Sequence, residues 1–301
     1  MTPASASQTP QDNQAGKRVV YTAVMGGYEQ FADATIQADD RTDLICFTDD
    51  PALTSDRWQI VHIPPRLIND SIRSARFVKI MGPELLAEYD ESLWIDNSVA
   101  LEAPVSDVFD RLLADCDFGL PLHSFRQSVS AEFDAVVDTG FDDVARVYEQ
   151  LLHYASTEKA VLEQKPFWTA ILARKHTPSV RDAMEQWWEH VLRYSRRDQL
   201  SINFILNNRD FRINAVDIDN FKSDFHRWPV LQNRLASRGR ANSFVEAVAS
   251  TPSARLGVLE RKCEKLQDEV KVLRKRLARE QNWSLLQMAR KIRRLFSSRP
   301  R

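Results

Sequence analysis

The chain has 301 residues, 43% of them hydrophobic and 9% aromatic, which suffices for one large core and excludes a fibrous or wholly disordered protein. Its three cysteines, Cys46, Cys116 and Cys263, are far apart and odd in number, so they support neither a disulfide framework nor a thiolate zinc cluster. No stretch approaches the roughly 20 consecutive apolar residues of a membrane-spanning helix. These properties predict a soluble, cytoplasmic protein.

Charge is unevenly distributed along the chain. Of the 41 basic and 42 acidic residues, eleven basic and one acidic lie in residues 271–301, which leaves 30 basic and 41 acidic residues in the remainder. The sequence therefore describes an acidic body with a basic tail. At the other end, residues 1–17 are rich in Ser, Thr, Gln, Ala and Pro and have no apolar run. They are predicted to form a disordered N-terminal tail and not a secretory signal.

Predicted strands alternate with predicted helices through residues 18–245. Strands are expected at 19–24, 44–48, 58–63, 93–95, 118–122 and 167–173, and helices at 71–88, 105–114 and 180–194. This alternation predicts an α/β domain with a mostly parallel sheet flanked by helices. In such sheets the ligand crevice lies at the carboxyl ends of the strands, which Gly26, Asp49 and Asp96 would face.

The segment Leu-Trp-Ile-Asp-Asn-Ser at 93–98 is the clearest indication of chemistry. An apolar strand delivers Asp96 to its carboxyl end, and the hydroxyl of Ser98 follows two residues later. A carboxylate with a second oxygen ligand suits a divalent cation held against the diphosphate of a nucleotide sugar. The alternative is an aspartate that merely caps a turn or helix. Gly26 and Gly27, after the first strand, would let the backbone approach a ligand.

Basic side chains recur at helical spacing just before this segment. Arg73, Arg76 and Lys79 stand at i, i+3 and i+6, so the first two share one helix face and Lys79 lies about one turn further round. They could neutralise a diphosphate, because arginine matches phosphate oxygens with its planar fork. The alternative is an exposed basic helix face.

Further candidates lie on the C-terminal side of the sheet. Asp198 and Gln199 open an apolar helix, where Asp198 could simply complement the helix dipole. As a catalytic residue it would bind an acceptor hydroxyl or stabilise positive charge that develops on a sugar, and Gln199 could do the same as a neutral partner. His226 could complete a metal site beside the carboxylate, although a single histidine is more often structural. His123, Arg126 and Glu132 follow a predicted strand and could line the acceptor side.

The C-terminal region has a different pattern. Apolar residues at alternating spacings of three and four predict a coiled coil over 253–281 and therefore a homo-oligomer: Leu256, Leu259, Cys263, Leu266, Val270, Leu273 and Leu277. Residues 282–301 combine Trp283, Leu285, Ile292 and Phe296 with adjacent basic residues. This basic amphipathic tail indicates peripheral association with an anionic membrane, or a solvated continuing helix. No nucleic-acid-binding module accompanies it.

Several blocks in fixed order carry a family resemblance. They are Val20 to Tyr28, Cys46 to Asp50, Arg76 to Lys79, Trp94 to Ser98 and Arg197 to Ser201. Over roughly residues 18–230 the chain resembles a glycosyltransferase-like family that includes plant seed-mucilage and turgor-regulation proteins and bacterial polysaccharide-locus proteins. That family resembles the GT-A-fold, Rossmann-like nucleotide-sugar transferases, which usually use manganese.

The resemblance implies roles for individual residues. Gly26, Gly27 and Tyr28 would line the nucleotide, while Arg76 and Lys79 would contact the diphosphate. Asp96 would bind Mn²⁺ or Mg²⁺, and Asp198 with Gln199 would lie on the acceptor side. The chain departs from the family pattern at Asp96-Asn97-Ser98, which replaces an Asp-x-Asp motif and removes one charged ligand.

The sequence thus leads to two hypotheses. The first is a hexosyltransferase-like, metal-dependent enzyme that moves a sugar from a nucleotide-sugar donor to a glycan or lipid-linked acceptor in surface polysaccharide biosynthesis, in the cytoplasm or at the inner membrane face. The second is a non-catalytic scaffold that binds a sugar or nucleotide and oligomerises through its coiled coil. Fold-level analogy does not by itself assign chemistry.

Overall fold

A seven-stranded mixed sheet organises the N-terminal part of the protein. The computed structural model describes residues 16–27, 29–207, 209–228, 263–275 and 277. The strands are β1 (Arg18–Val24), β2 (Thr42–Thr48), β3 (Gln59–His62), β4 (Glu91–Ile95), β5 (Ala100–Leu101), β6 (Phe118–Pro121), β7 (Ile171–Lys175), β8 (Ile213–Val216) and β9 (His226–Arg227). The large sheet has the order β3-β2-β1-β4-β7-β6-β8, and β5 pairs with β9.

Six α-helices cover the two faces of the sheet and one end of it. They are α1 (Ser71–Ile80), α2 (Val105–Leu113), α3 (Val129–Thr139), α4 (Val144–Thr157), α5 (Pro178–Arg193) and α6 (Gln199–Leu206). Alternate residues of β1 enter opposite cores: Val19 and Tyr21 pack with α1 and α5, and Val20 packs with α2. A strand buried on both faces reads as a continuous apolar run, which is why β1 could be predicted. The structure confirms the α/β class.

Strand β7 departs from the predicted arrangement. The apolar run 167–173 predicts a strand, but the ladder begins only at Ile171, and Phe167 forms an isolated bridge with Leu122. Strand β7 runs antiparallel to both β4 and β6. Trp168 N donates to the carbonyl of Pro121 before the chain enters the ladder. The run is mostly apolar because all of it except the half-buried Phe167 is buried, and burial alone does not determine strand direction.

Helices α3 and α4 were not among the predicted elements. Ser128 caps α3 and Asp143 caps α4, each through a side-chain oxygen that accepts from the backbone three residues later. The two helices bury Phe133 and Tyr154 with Leu200 of α6 in a small separate core. They therefore support α6 from outside the sheet.

Two partly buried histidines predict loss of stability in acid. Burial lowers the pKa of His176, beside Ser92, and of His190, beside Tyr154, to about 4. Each pKa lies below the ordinary value of 6.5, so between pH 6.5 and about 4 the unfolded chain binds protons that the folded chain does not bind. Stability should be greatest above pH 6.5 and fall as the pH drops towards 4.

Urea unfolding at pH 7.5, 6 and 5 measures this effect. The urea midpoint should fall at each step, and the fall should be smaller in His176→Gln, which keeps a polar partner for Ser92 but does not titrate. A midpoint that is constant across this range would contradict the prediction.

Residues 242–301 form a second compact unit. Within it, residues 263–275 are helical, and the predicted seam residues Leu266, Val270, Leu273 and Leu277 are 44–61% exposed. The coiled coil and the oligomer stay predictions. The predicted tails, 1–17 and 282–301, lie outside the described residues except for Gly16 and Lys17, as does the boundary at 245. No helix among the described residues is long and apolar enough to cross a membrane.

Candidate active site

Polar residues gather at the carboxyl edge of the sheet. Strands β1, β2 and β4 are parallel, and β6 runs with them because β7 is antiparallel to both β4 and β6. Gly26, Asp49, Asp96 and His123 follow these four strands and therefore share one edge. Asp49 Oδ1 accepts from Gly26 N at 2.8 Å, which ties the first two strand ends together.

Gly26 is held in a conformation that favours glycine. Its φ is +69°, and a Cβ built there would lie 2.4 Å from the Cβ of Ser71 at the start of α1. The turn therefore packs directly against the Ser71 side chain, with no room for a side chain at position 26. Gly27 also has a positive φ, +61°, but a Cβ there would meet nothing within 4 Å. Tyr28, the third residue predicted to line a nucleotide, lies outside the described residues.

Asp198 is the buried centre of an ion-pair network. Its Oδ1 lies 2.9 Å from Arg76 Nε, and its Oδ2 lies 2.6 Å from Lys79 Nζ. Thr169 Oγ1 donates to Oδ2 at 3.1 Å. Burial disfavours the carboxylate, but Arg76 and Lys79 outweigh burial and hold the pKa of Asp198 well below its usual range. Asp198 is therefore an ionised anchor for two cations. Its side chain makes no capping hydrogen bond to α6.

Lys79 is positioned by its backbone as well as by its ammonium group. Its side chain is 1% exposed, and its carbonyl accepts from Tyr21 Oη at 2.6 Å and from Arg174 at 3.1 Å. Arg174 also donates to the carbonyl of Ile80 at 2.6 Å, so β7 satisfies the carbonyl end of α1. Burial lowers the pKa of Lys79, while Asp198 and Asp96 oppose that effect.

Asp96 connects the network to the surface. Its side chain is 23% exposed, and its Oδ1 accepts from Trp94 Nε1 at 2.8 Å and lies 3.7 Å from Lys79 Nζ. The next residue, Asn97, is buried and points elsewhere. Its amide accepts from Ala32 N and donates to the carbonyl of Gln30, both at 2.8 Å. The strand end thus holds a loop that is remote in sequence.

The other two predicted metal ligands are engaged in hydrogen bonds. Ser98 Oγ accepts from Trp228 Nε1 at 3.1 Å. His226 is fully buried, with Nε2 3.1 Å from the carbonyl of Asn220 and Nδ1 2.6 Å from Ser223 Oγ. Since a carbonyl only accepts, Nε2 carries the proton and Nδ1 accepts from the serine. This geometry leaves His226 without a lone pair for a metal and gives it a structural role in the β5–β9 pair.

Arg73 also differs from its predicted role as a diphosphate cation. Its Nε donates to the carbonyl of Val191 and its Nη2 to the carbonyl of Tyr194, both at 2.8 Å. Its Nη1 donates to Asp70, the N-cap of α1, at 2.7 Å. Arg73 therefore joins α1 to the carbonyl end of α5. The regular spacing of Arg73, Arg76 and Lys79 does not reveal which of them makes a structural contact between helices.

A second group of charges borders the first. Glu132 is buried and accepts from Arg126 at 3.1 Å, and burial raises its pKa against the opposing effects of Arg197 and Arg126. Burial, reinforced by Arg126 and Arg197, lowers the pKa of His123 to about 4 and keeps the imidazole neutral. Among the described residues, the side-chain amide of Gln199 makes no hydrogen bond. The structure thus brings the predicted acceptor-side residues beside the ion-pair network.

Sequence reasoning missed the roles of Arg197, Thr169 and Asn97. Burial and Arg76 lower the pKa of Arg197, and the carboxylates of Asp198, Glu132 and Asp96 oppose this shift without reversing it. Arg197 therefore interacts electrostatically with both groups of charges. Its place directly before Asp198 was a signal that could have identified it. Thr169 and Asn97 gave no such signal, since their partners are remote in sequence.

Two solved structures are distantly similar to the chain. The apo structure of WbbM, a bifunctional glycosyltransferase, is 10% identical, with a TM-score of 0.40, covering 70% of this chain and 40% of that one. The mannosyltransferase Ktr4p from S. cerevisiae is 13% identical, with a TM-score of 0.36, covering 63% of this chain and 65% of that one. This chain spans less than two thirds of either protein, and likenesses this distant identify no shared activity.

Family membership rests on the sequence blocks. No curated protein matches the chain significantly. The domain model described as TOD1/MUCI70, glycosyltransferase-like domain, matches residues 31–227, which is more than half of the chain and contains Asp96 and Asp198. The match confirms the resemblance drawn from the sequence. The chain therefore belongs to the TOD1/MUCI70 glycosyltransferase-like family.

Proposed function

We propose that the domain transfers a sugar from a nucleotide-sugar donor to a hydroxyl of a glycan or lipid-linked acceptor. The observation that carries the proposal is the network of Arg76, Lys79, Asp198 and Asp96 at the carboxyl edge of the sheet. In α/β sheets this edge is where ligands bind. Departure of a nucleoside diphosphate requires positive charge that is in place before the reaction.

The network supplies such charge at fixed positions. Asp198 is ionised and holds both Arg76 and Lys79, so neither cation has to be ordered when a ligand arrives. Asp96 is the partly exposed member and would meet the donor. Its carboxylate would accept hydrogen bonds from sugar hydroxyls, while Lys79 stabilises the charge that develops on the leaving phosphate.

The residues around Asp96 offer few ligand atoms for a divalent cation. A site built from all three predicted ligands does not fit, because both ring nitrogens of His226 are engaged by Ser223 and Asn220. No group of three acidic, histidine or cysteine side chains in the described part of the chain could hold a metal. Asp96 alone could bind Mg²⁺ or Mn²⁺ together with substrate phosphates and water. When bound, the ion would neutralise part of the diphosphate charge.

The acceptor is proposed to approach from the side of His123 and Glu132. Neutral His123 can hydrogen-bond a hydroxyl without adding charge, and Gln199 offers an amide close to Asp198. The remaining parts of the proposal are unchanged from the sequence hypothesis: oligomerisation through 253–281, membrane contact through 282–301, and a role in surface polysaccharide biosynthesis.

Turnover of a panel of nucleotide sugars by the full-length protein tests the activity. We expect slow hydrolysis of one or two donors in the absence of acceptor, with release of the nucleoside diphosphate followed by chromatography. Binding of a nucleoside diphosphate without turnover of any donor, with or without acceptor glycans, would favour the scaffold hypothesis.

Calorimetric binding of the released nucleoside diphosphate, in Mn²⁺ and in a chelator, tests the metal. Affinity in Mn²⁺ should exceed that in the chelator by about tenfold, which corresponds to about 1.4 kcal/mol. Asp96→Asn should remove this difference and leave the chelator value unchanged, because Arg76 and Lys79 do not depend on the ion. Equal affinities in both buffers for the wild type would exclude a metal at Asp96.

A further inference from the structure

Arg197 differs from the other cations around the site. Its Nε is shut off from solvent, although the residue as a whole is partly exposed. The Nε atoms of Arg76 and Arg196 are equally buried, but they lie 2.9 and 3.4 Å from a carboxylate oxygen, whereas Arg197 Nε has no hydrogen-bond partner in the described part of the chain. Among the described residues, no carboxylate lies within ion-pair distance of its guanidinium. Its contact is with the ring of Phe141, whose centroid is 5.0 Å from Cζ. A desolvated donor left unsatisfied weakens the fold and calls for an explanation.

Five neighbouring cations have a carboxylate within 4 Å, and Arg174 instead donates to the carbonyls of Lys79 and Ile80 and to Tyr21 Oη. Arg76 and Lys79 pair with Asp198, Arg73 pairs with Asp70, Arg126 pairs with Glu132, and Arg196 pairs with Asp142. The contrast with Arg196 is the sharpest, because the two arginines are adjacent. Local sequence thus places one arginine in a structural ion pair and leaves the next one with its donors unused.

The surroundings of Arg197 favour an anion. It directly precedes α6, an eight-residue helix whose N-terminal end carries partial positive charge. Arg76 raises the local positive potential further, and the carboxylates of Asp198, Glu132 and Asp96 oppose it. The side chain of Asp198 is already engaged by Arg76 and Lys79. The planar guanidinium fork matches two oxygens of one phosphoryl group.

We propose that Arg197 is the residue that contacts the diphosphate of the donor, with Arg76 and Lys79 as fixed charges behind it. This inference rests on the proposed function for the identity of the ligand. The unused donors of Arg197 are the observation that carries it. Bound phosphate would satisfy the guanidinium, so part of the stability lost in the free protein returns on binding.

Calorimetry on full-length wild type, Arg197→Gln and Arg197→Lys tests the inference with four probes. These are inorganic pyrophosphate, uridine diphosphate or guanosine diphosphate, the free nucleoside, and hexyl phosphate as a mimic of a lipid phosphate. We expect Arg197→Gln to weaken pyrophosphate and nucleoside diphosphate binding by about ten- to a hundredfold, as loss of a charge-assisted hydrogen bond predicts. Arg197→Lys should be intermediate, and the weak nucleoside affinity should not change.

Thermal unfolding separates a binding role from a structural one. The ligand-free Tm of Arg197→Gln should equal or exceed that of the wild type, because an unsatisfied cation has been removed. The matched control Arg196→Gln breaks a structural ion pair, so its Tm should fall while its pyrophosphate affinity is retained. A lower Tm for Arg197→Gln with unchanged affinity would overturn the inference.

The remaining outcomes distinguish this inference from the proposed function. If pyrophosphate binding depends on Arg197 but no nucleotide sugar is turned over, the anion site stands and the transferase proposal fails. If donors are turned over normally by Arg197→Gln, the transferase proposal stands and this inference fails. Arg197-dependent binding of hexyl phosphate, with nucleoside diphosphate binding unaffected, would overturn the assignment to the donor. Absence of binding by any probe to the wild type would overturn both.

Discussion

Replacement of Asp198 by alanine should lower the free energy of unfolding by about 3–5 kcal/mol, as expected when one partner of a buried ion pair is removed. Lys79 is 1% exposed and Arg76 is 13% exposed, so both cations would be left in the protein interior without their carboxylate. Thr169 would also lose its acceptor. Urea unfolding at pH 7.5, followed by circular dichroism, measures the loss.

The matched control is Asp182→Ala, which removes the 62%-exposed partner of Arg209 and should cost less than about 1 kcal/mol. Acid gives a second test of Asp198. Because its folded pKa lies below its unfolded value of about 3.8, its contribution is complete above that pH and is lost as the pH falls towards the folded pKa. A similar loss in both alanine variants would contradict the buried network.

Replacement of Asp96 by alanine should reduce donor turnover by about a hundred- to a thousandfold, the usual effect of removing one preorganised electrostatic group from an active site. Stability should change little, because the Asp96 side chain is partly exposed and Lys79 keeps Asp198 at 2.6 Å. The measurement is the rate of nucleoside diphosphate release at saturating donor, beside the Tm of each variant.

Asp50→Ala provides the control for Asp96. Asp50 is an exposed acidic residue that follows β2 on the same side of the sheet, where it accepts from Ala52 N at 2.9 Å. Its loss should leave donor turnover within about twofold of wild type, since it lies outside the charge network. Full activity in Asp96→Ala would remove Asp96 from the catalytic machinery.

Much of the fold could be predicted because its signals are local. The apolar run of β1, the strand end at Asp96 and the amphipathic α2 each carry their pattern within a dozen residues. The direction of β7 was not predictable, because a strand buried on both faces shows the same apolar run whichever way it runs. Helices α3 and α4 were missed although their caps are ordinary ones.

The sequence identified which residues belong to the candidate site, but not which of them contact one another. Arg76, Lys79 and Asp198 were all identified, but they were assigned to opposite sides of a ligand, whereas the structure joins them directly. More than a hundred residues separate Arg76 from Asp198, and no local spacing encodes that contact. The engagement of Arg73 by α5 and of His226 by Asn220 likewise depends on tertiary packing.

Arg174 determines how far the domain can be divided. A fragment that contained only the first half of the domain, 18–113, would include Arg76, Lys79 and Asp96. It would lack Arg174, which secures the carbonyl end of α1, and Asp198, which neutralises the two cations. The antiparallel strand that interrupts the parallel order thus joins the two halves, and a fragment that keeps the charge network must extend at least to Asp198 at the start of α6.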